Sequence, residues 1–322
     1  MTRKPTLLGL PGGLRLGLFF SLFSGLLLAG CGPKFDPASL IETTRVVGAR
    51  VEVEGAPDRA TPRPGETADV TWLITSADAP SPLSWAFALC TPAAGGSSLH
   101  CGGAALAVFE GTTSPPRLSF PVPSADVLGT TTHVILYGEI CMGSDSTPTF
   151  DPQTGIPTCT GGGGTTASLD VLLQRGDEAN HNPVAEHAFT FDGQPWPALA
   201  SGGDPCAAGP RAMAGTKDHV IGNTTAGSDR ESYTALLGDP AVPTPTRERL
   251  QVSQFTTAGK LKVQYGFVEA TDDSDATILE DDWEAPQAVD VPTGGRAVTF
   301  TFVTRDNRGG ADWTTRAICV AR

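Results

Sequence analysis

The run Val298-Thr299-Phe300-Thr301-Phe302-Val303-Thr304-Arg305-Asp306-Asn307-Arg308-Gly309-Gly310-Ala311-Asp312-Trp313 decides the fold class. Its first half alternates large apolar and hydroxyl side chains with the period of two of a half-buried strand. Its middle is a polar turn with an Asn and a Gly pair, residues that tolerate positive φ. Its end re-enters an apolar run from Trp313 to Val320. The stretch therefore reads as two antiparallel strands, 297–304 and 313–320, joined by a short loop.

Outward from this hairpin the same period recurs. Leu261, Val263, Tyr265 and Phe267 alternate with Lys262, Gln264 and Gly266, and further strands are expected at 187–191, 219–221, 233–237 and 249–255. Nearer the N-terminus, Val47, Ala49, Val51 and Val53 alternate with polar or small residues, as do Ala68, Val70, Trp72 and Ile74. Runs at 85–90, 118–122, 133–140 and 169–173 complete a first set. No dozen residues carry a convincing 3.6 period, and short strands at this spacing predict an all-β chain of two antiparallel sandwiches.

Composition agrees. Gly 38 and Pro 27 make about 20% of 322 residues, against a usual ~12%. Lys+Arg 22 against Asp+Glu 35 gives a net charge of −13, a poor surface for nucleic acid phosphates. The breaker-rich segment 176–186, just after Arg175, reads as a linker. The expected organisation is a leader at 1–30, a tether at 31–43, a first sandwich at 44–175, the linker, and a second sandwich at 187–322. Arg175-Gly176-Asp177 has the order of an adhesion tripeptide, but three residues match by chance too often to assign a role.

The first thirty residues are an address. Arg3, Lys4 and Arg15 are their only charges, and residues 18–28 form an apolar run shorter than a ~20-residue membrane span. The following Leu28-Ala29-Gly30-Cys31 resembles the bacterial lipoprotein box. That resemblance implies cleavage before Cys31 and acylation of its thiol, leaving 292 residues at net charge −16 once three cations are removed. Several acyl chains at about 0.8 kcal/mol per buried methylene give durable anchoring. Gly32, rather than Asp, follows the cysteine, which points to the outer membrane.

With this lipobox, the opening Arg45-Val46-Val47-Gly48-Ala49-Arg50 and the closing hairpin, the chain resembles lipoproteins of myxobacteria and relatives. The hairpin itself is similar to the last hairpin of bacterial immunoglobulin-like or PKD-type modules. The resemblance implies immunoglobulin-like sandwiches and carries no assigned activity. One departure is that no Cys precedes Trp72 or Trp85 in the mature first domain, so the antibody-type intersheet disulfide is not expected there.

Seven cysteines are present, and lipidation of Cys31 leaves six for disulfides in an oxidising compartment. Cys90 and Cys101 flank a Gly/Ser turn, Cys141 and Cys159 flank a Pro/Gly-rich excursion, and Cys206 and Cys319 fall near the two ends of the second sandwich. These positions predict pairing in that order.

Motifs for chemistry are sparse. His100, His133, His181, His187 and His219 form no H-E-x-x-H, and no G-x-S-x-G, S-x-x-K or Walker loop occurs. His181 and His187 read as solvated polar residues. Asn223-Thr224-Thr225 fits the N-glycosylation sequon, a match that reads as chance in a bacterial envelope. Eight carboxylates crowd residues 269–284 without a Lys or Arg. This stretch reads as a solvated loop between strands ending near Ala270 and starting near Val289. The alternative is calcium binding by Asp272, Asp273, Asp275, Glu280, Asp281 and Asp282, since Ca²⁺ takes six to eight hard oxygens.

The expected function is a non-catalytic, envelope-anchored module that is structural or binds an envelope protein or glycan. It needs no cofactor and no nucleic acid, and it meets the membrane through Cys31. A hydrolase of polysaccharide or peptide with a loop-built site is the first alternative, and a calcium-dependent adhesin-like module the second.

Overall fold

The period-two segments fold as strands in the computed structural model, which describes residues 37–77, 82–93, 101–151, 154–161, 163–198, 203–237 and 240–322. The leader, Cys31 and the tether up to residue 36 lie outside the described residues.

In the first half the chain forms β1 (Arg45–Val53), β2 (Thr67–Thr75), β3 (Leu83–Cys90), β4 (Ala107–Gly111), β5 (Arg117–Pro121), β6 (His133–Met142), β7 (Pro148–Phe150), β8 (Pro157–Cys159) and β9 (Gly164–Leu172). These make a sheet ordered β1-β2-β5, a sheet ordered β4-β3-β6-β9 and a β7-β8 ribbon, all antiparallel. Inward side chains of the two larger sheets share one core, including Trp72, Phe87, Phe120 and Leu136. Trp72 stacks on Phe87 with ring centroids 4.8 Å apart. Each such side chain contributes about 1.5–3 kcal/mol by leaving water.

The second half forms β10 (Ala188–Phe191), β11 (Gln194–Pro195), β12 (Arg211–Met213), β13 (His219–Ala226), β14 (Ser232–Leu237), β15 (Val242–Arg247), β16 (Leu250–Thr256), β17 (Lys260–Leu261), β18 (Tyr265–Val268), β19 (Ala276–Glu284), β20 (Arg296–Arg305) and β21 (Ala311–Ala321). One five-stranded sheet is ordered β11-β10-β13-β19-β17, its partner β12-β21-β20-β16-β18, and β14-β15 forms a separate ribbon. Only the β12–β21 pairing is parallel among the described strands of this half. Trp196, Trp283, Phe300, Phe302 and Ile318 fill the core between the sheets. The chain is thus all-β, built as two sandwiches.

Three disulfides staple these layers: Cys90–Cys101, Cys141–Cys159 and Cys206–Cys319. The last ties the short helix α1 (Pro205–Ala208), capped by the Asp204 carboxylate, to strand β21.

Four expectations need correction. The acidic segment is not one solvated loop, because β19 occupies its second half with Asp281 and Trp283 buried. Thr277, Leu279, Asp281 and Trp283 face inward while Glu280, Asp282 and Glu284 face out, so the outward charges hid the alternation. The strand expected across 261–267 is broken. Leu261 pairs with Trp283 in one sheet and Tyr265–Val268 with β16 in the other, so the chain crosses between layers at 262–264. His187 is buried rather than solvated, its side chain 2% exposed, and burial lowers its pKa. Only Gly309 of the closing turn takes a positive φ, at 97°. Asn223, the sequon residue, is buried on β13.

The two cores are bridged by a third cluster in which Ile41, Val47 and Val303 are buried against Leu73, Phe255 and Trp313. Residues 37–322 consequently form one compact unit.

Candidate functional site

The seam between the sandwiches gathers a cluster of charged side chains around the buried Glu248, and it begins with the β20–β21 turn. Asp306 accepts from the backbone N–H of Arg308 at 2.7 Å and of Gly310 at 2.8 Å, which fixes the loop. A Cβ at Gly310 would stand 2.3 Å from Asp306 Oδ2 and 2.9 Å from the His181 carbonyl, so only glycine fits. The loop then projects Arg308 between the two halves.

The segment 176–186 meets it there. Residues 175–178 are exposed, but Asn180 and Ala185 are buried. Asn180 Nδ2 donates to Asp306 Oδ2 at 2.9 Å and to the Arg308 carbonyl at 3.3 Å, while its own carbonyl accepts from Ala60 N at 2.8 Å. Asn182 Nδ2 donates to the Val51 carbonyl at 2.7 Å, and its Oδ1 accepts from Ala311 N at 3.1 Å. Two asparagines therefore stitch the first sandwich to the second.

Arg308 Nη1 lies 3.1 Å from Glu231 and 3.2 Å from Glu248, and its Nη2 donates to the Ala179 carbonyl at 3.1 Å. Its guanidinium also covers the Tyr233 ring at 4.4 Å. His181 Nδ1 bonds the Glu231 carboxylate, and its Nε2 lies 3.8 Å from Asp58. Burial pushes the Glu248 carboxyl up to about 7 and raises that of Asp306. Farther along, Arg50 reaches Asp312 at 2.8 Å.

Beside this network a pocket of about 340 Å³ opens where β1 and β9, the edges of the two sheets of the first sandwich, are roofed by the β20–β21 turn. Strand β1 carries a register shift between Val46 and Gly48 there, and bulges of this kind redirect side chains at sites. Val46, Trp72, Leu169, Asp170, Arg305 and Gly310 are among its walls. Arg305 donates to Ser253 Oγ at 3.2 Å and to the carbonyl of Val47. It has no ion-pair partner among the described residues, and burial lowers its pKa. Asp170 has only His133, 3.9 Å away, and burial raises its pKa.

The calcium candidates do not converge. Asp272 accepts from the hydroxyls of Ser274 and Thr277, which hold its carboxyl down to about 2. Asp281 faces the interior and accepts from Val263 N at 3.0 Å, while Asp282 pairs with Lys262 at 2.6 Å. Glu280 points outward, and Asp273 and Asp275 stay in the turn before β19. Among the described residues no three His, Cys, Asp or Glu side chains are grouped to hold a metal ion.

Two histidines have carboxylate partners that sequence spacing did not reveal. His219 Nδ1 donates to Asp192 at 2.8 Å, and His187 Nδ1 lies 3.4 Å from Asp229. In each the Nε2 atom is buried without a protein partner, so neither pair has a nucleophilic hydroxyl in reach, as a triad requires.

No family model and no curated protein sequence matches the chain. Among solved structures, red sea bream transglutaminase aligns at 7% identity and a TM-score of 0.23, over 86% of this chain and 32% of that one. The two tandem V-type regions of VCBP3, a v-region-containing chitin binding protein, align at 8% identity and a TM-score of 0.24, over 88% and 100%. The chain spans about a third of the transglutaminase. Scores this low equate neither fold nor site.

Proposed function

We propose that this chain is a non-catalytic binding module of the bacterial cell envelope, lipid-anchored through Cys31 and facing its ligand with two sandwiches locked as one body. The observation that carries the reading is the seam. Asn180, Asn182 and Arg308 tie the linker to both halves, and a pocket lies beside them. Two sandwiches on a loose tether would need no buried polar interlock, and desolvating Glu248 and Asp306 costs stability that the network only partly returns. Small-molecule sites favour interfaces between domains. The Leu28-Ala29-Gly30-Cys31 box supplies the anchor in this reading, and the outer membrane is the expected destination.

The test is metabolic labelling with palmitate in a bacterial host followed by membrane fractionation. Wild-type chain is expected to carry label and sediment with the envelope. Cys31→Ser is expected to lose the label and accumulate with its leader attached. Label that persists in Cys31→Ser, or an unlabelled wild type, overturns the anchor.

A further inference from the structure

We propose that the seam pocket binds a zwitterion of α-amino-acid size, with Arg305 taking the carboxylate, Asp170 the ammonium group and Trp72, Val46 and Leu169 an apolar side chain. The proposal names the ligand class for the binding module argued above and rests on that reading.

Arg305 is the first observation. Buried charges are ordinarily paired, because an uncompensated one costs far more than a hydrogen bond returns. Yet this guanidinium satisfies only a serine hydroxyl and a backbone carbonyl, both neutral, and no carboxylate stands within ion-pair distance among the described residues. A guanidinium presents five donors in a planar fork, so most of its donors are not used by these two bonds. It lines an open volume, and the fork matches a carboxylate in two-point geometry.

The second observation is the opposite sign on another wall. Asp170 lines the same pocket from β9 with a side chain that is 39% exposed and no hydrogen bond to another described side chain. Its one charged neighbour, His133, is 3.9 Å away. A purely anionic ligand would be repelled by Asp170, and a purely cationic one by Arg305. A ligand carrying both charges satisfies both walls.

The third observation is the lining between them. Trp72, Val46 and Leu169 give an apolar surface, and the volume of about 340 Å³ sits at the low end for small-molecule sites. That size takes one amino acid or a dipeptide and excludes an oligosaccharide chain. The bulge at Val46/Gly48 makes the room, and the walls come from both sandwiches, so the site exists only when the seam is closed.

The experiment is calorimetric titration of the full chain in detergent micelles with L-leucine, L-valine, L-phenylalanine and L-leucyl-L-leucine in turn. At least one is expected to bind saturably and raise the melting temperature. N-acetyl-L-leucine, lacking the ammonium group, and L-leucine amide, lacking the carboxylate, are each expected to bind about tenfold or more weakly than leucine. Arg305→Gln is expected to weaken binding by a similar factor. Because Arg305 also supports the seam, Asp170→Asn serves as a second variant on a side chain that makes no hydrogen bond. It is expected to weaken leucine but not N-acetyl-L-leucine, from which it removes a like-charge repulsion. No heat and no thermal shift with any of the four at about 10 mM, or unchanged affinity in both variants, overturns the proposal. Palmitate labelling reports on the anchor separately, so the two readings fail independently.

Discussion

Arg308 holds one guanidinium nitrogen 3.2 Å from the Glu248 carboxylate, a side chain that is 1% exposed. Glu231 shares the same nitrogen at 3.1 Å, and Asp306 bonds the Arg308 backbone, so three carboxylates crowd one cation at the seam. Such a cluster holds a proton more readily than its members do in water, which is why burial, with Asp306 and Glu231 nearby, lifts Glu248 to about 7.

The sign of the pH effect follows. Unfolded, Glu248 loses its proton near 4.5, but folded it keeps the proton until about 7. The folded state therefore binds more protons across that window, and stability falls as pH rises from about 4.5 to 7, then levels. Urea titrations of the wild type at pH 5, 6, 7 and 8 are expected to show this decline. Glu248→Gln is expected to flatten it and to be the more stable protein at pH 8, by about 1–3 kcal/mol. A wild-type profile that rises from pH 5 to 7 together with an unchanged slope in Glu248→Gln contradicts the account.

Asn180 is the second place to break the seam. It donates to Asp306 and to the Arg308 carbonyl and is 2% exposed, so Asn180→Ala leaves a buried carboxylate short of a donor. A loss of about 1–3 kcal/mol is expected. Scanning calorimetry is expected to resolve one transition in the wild type into two in the variant, because each sandwich keeps its own core. A single, merely lowered transition shows that the cores unfold together without help from Asn180.

The strands were legible where apolar side chains alternate. The alternation of Val298, Phe300 and Phe302 predicted β20, and that of Val70 and Trp72 predicted β2. Disulfide bonding was legible from the six cysteines that remain once Cys31 is set aside as the expected acylation site, and from their places around turns and at the ends of the second sandwich. Strand β19 was not, because four carboxylates in Glu280–Glu284 read as solvent-facing while Asp281 was turned inward onto the Val263 N–H. Local pattern also cannot report a layer crossing, so 261–267 looked like one strand. The seam was least legible of all. Asn180, Asn182 and Arg308 sit in breaker-rich segments whose polarity signals a linker whether it dangles or docks. What docks it is a set of partners 50 to 131 residues away in sequence, which no local window contains.

The disulfides are expected to differ in weight. Cys206–Cys319 closes a sequence separation of 113, and Cys90–Cys101 one of 11. In the chain-entropy account the long loop is worth about 4.7 kcal/mol and a loop near fifteen residues about 3. Paired substitutions, Cys206→Ala with Cys319→Ala and Cys90→Ala with Cys101→Ala, avoid leaving a free thiol. The first pair is expected to lower the denaturant midpoint more than the second. Equal losses indicate that native packing rather than loop closure sets both values.

Calcium provides the last test, and the geometry predicts indifference. A Ca²⁺ ion needs six to eight oxygens at one point. Here Asp272 is committed to Ser274 and Thr277, Asp282 to Lys262, and Asp281 to a backbone N–H on the opposite side of the strand from Glu280 and Asp282. A strand sends successive side chains to opposite faces, so Glu280, Asp281 and Asp282 cannot ligate one ion without unpairing β19 from β13. A ligand at a hundred times its dissociation constant stabilises the folded state by about 2.7 kcal/mol, a shift of several degrees in a protein of this size. The melting temperature in about 2 mM CaCl₂ is therefore expected to match that in EDTA within about a degree. Asp272→Asn, which weakens the hydroxyl bonds without touching β19, is expected to destabilise equally with and without calcium. A rise of several degrees in calcium that Asp272→Asn abolishes would mean that the turn before β19 rearranges around the ion, and would restore the adhesin-like reading.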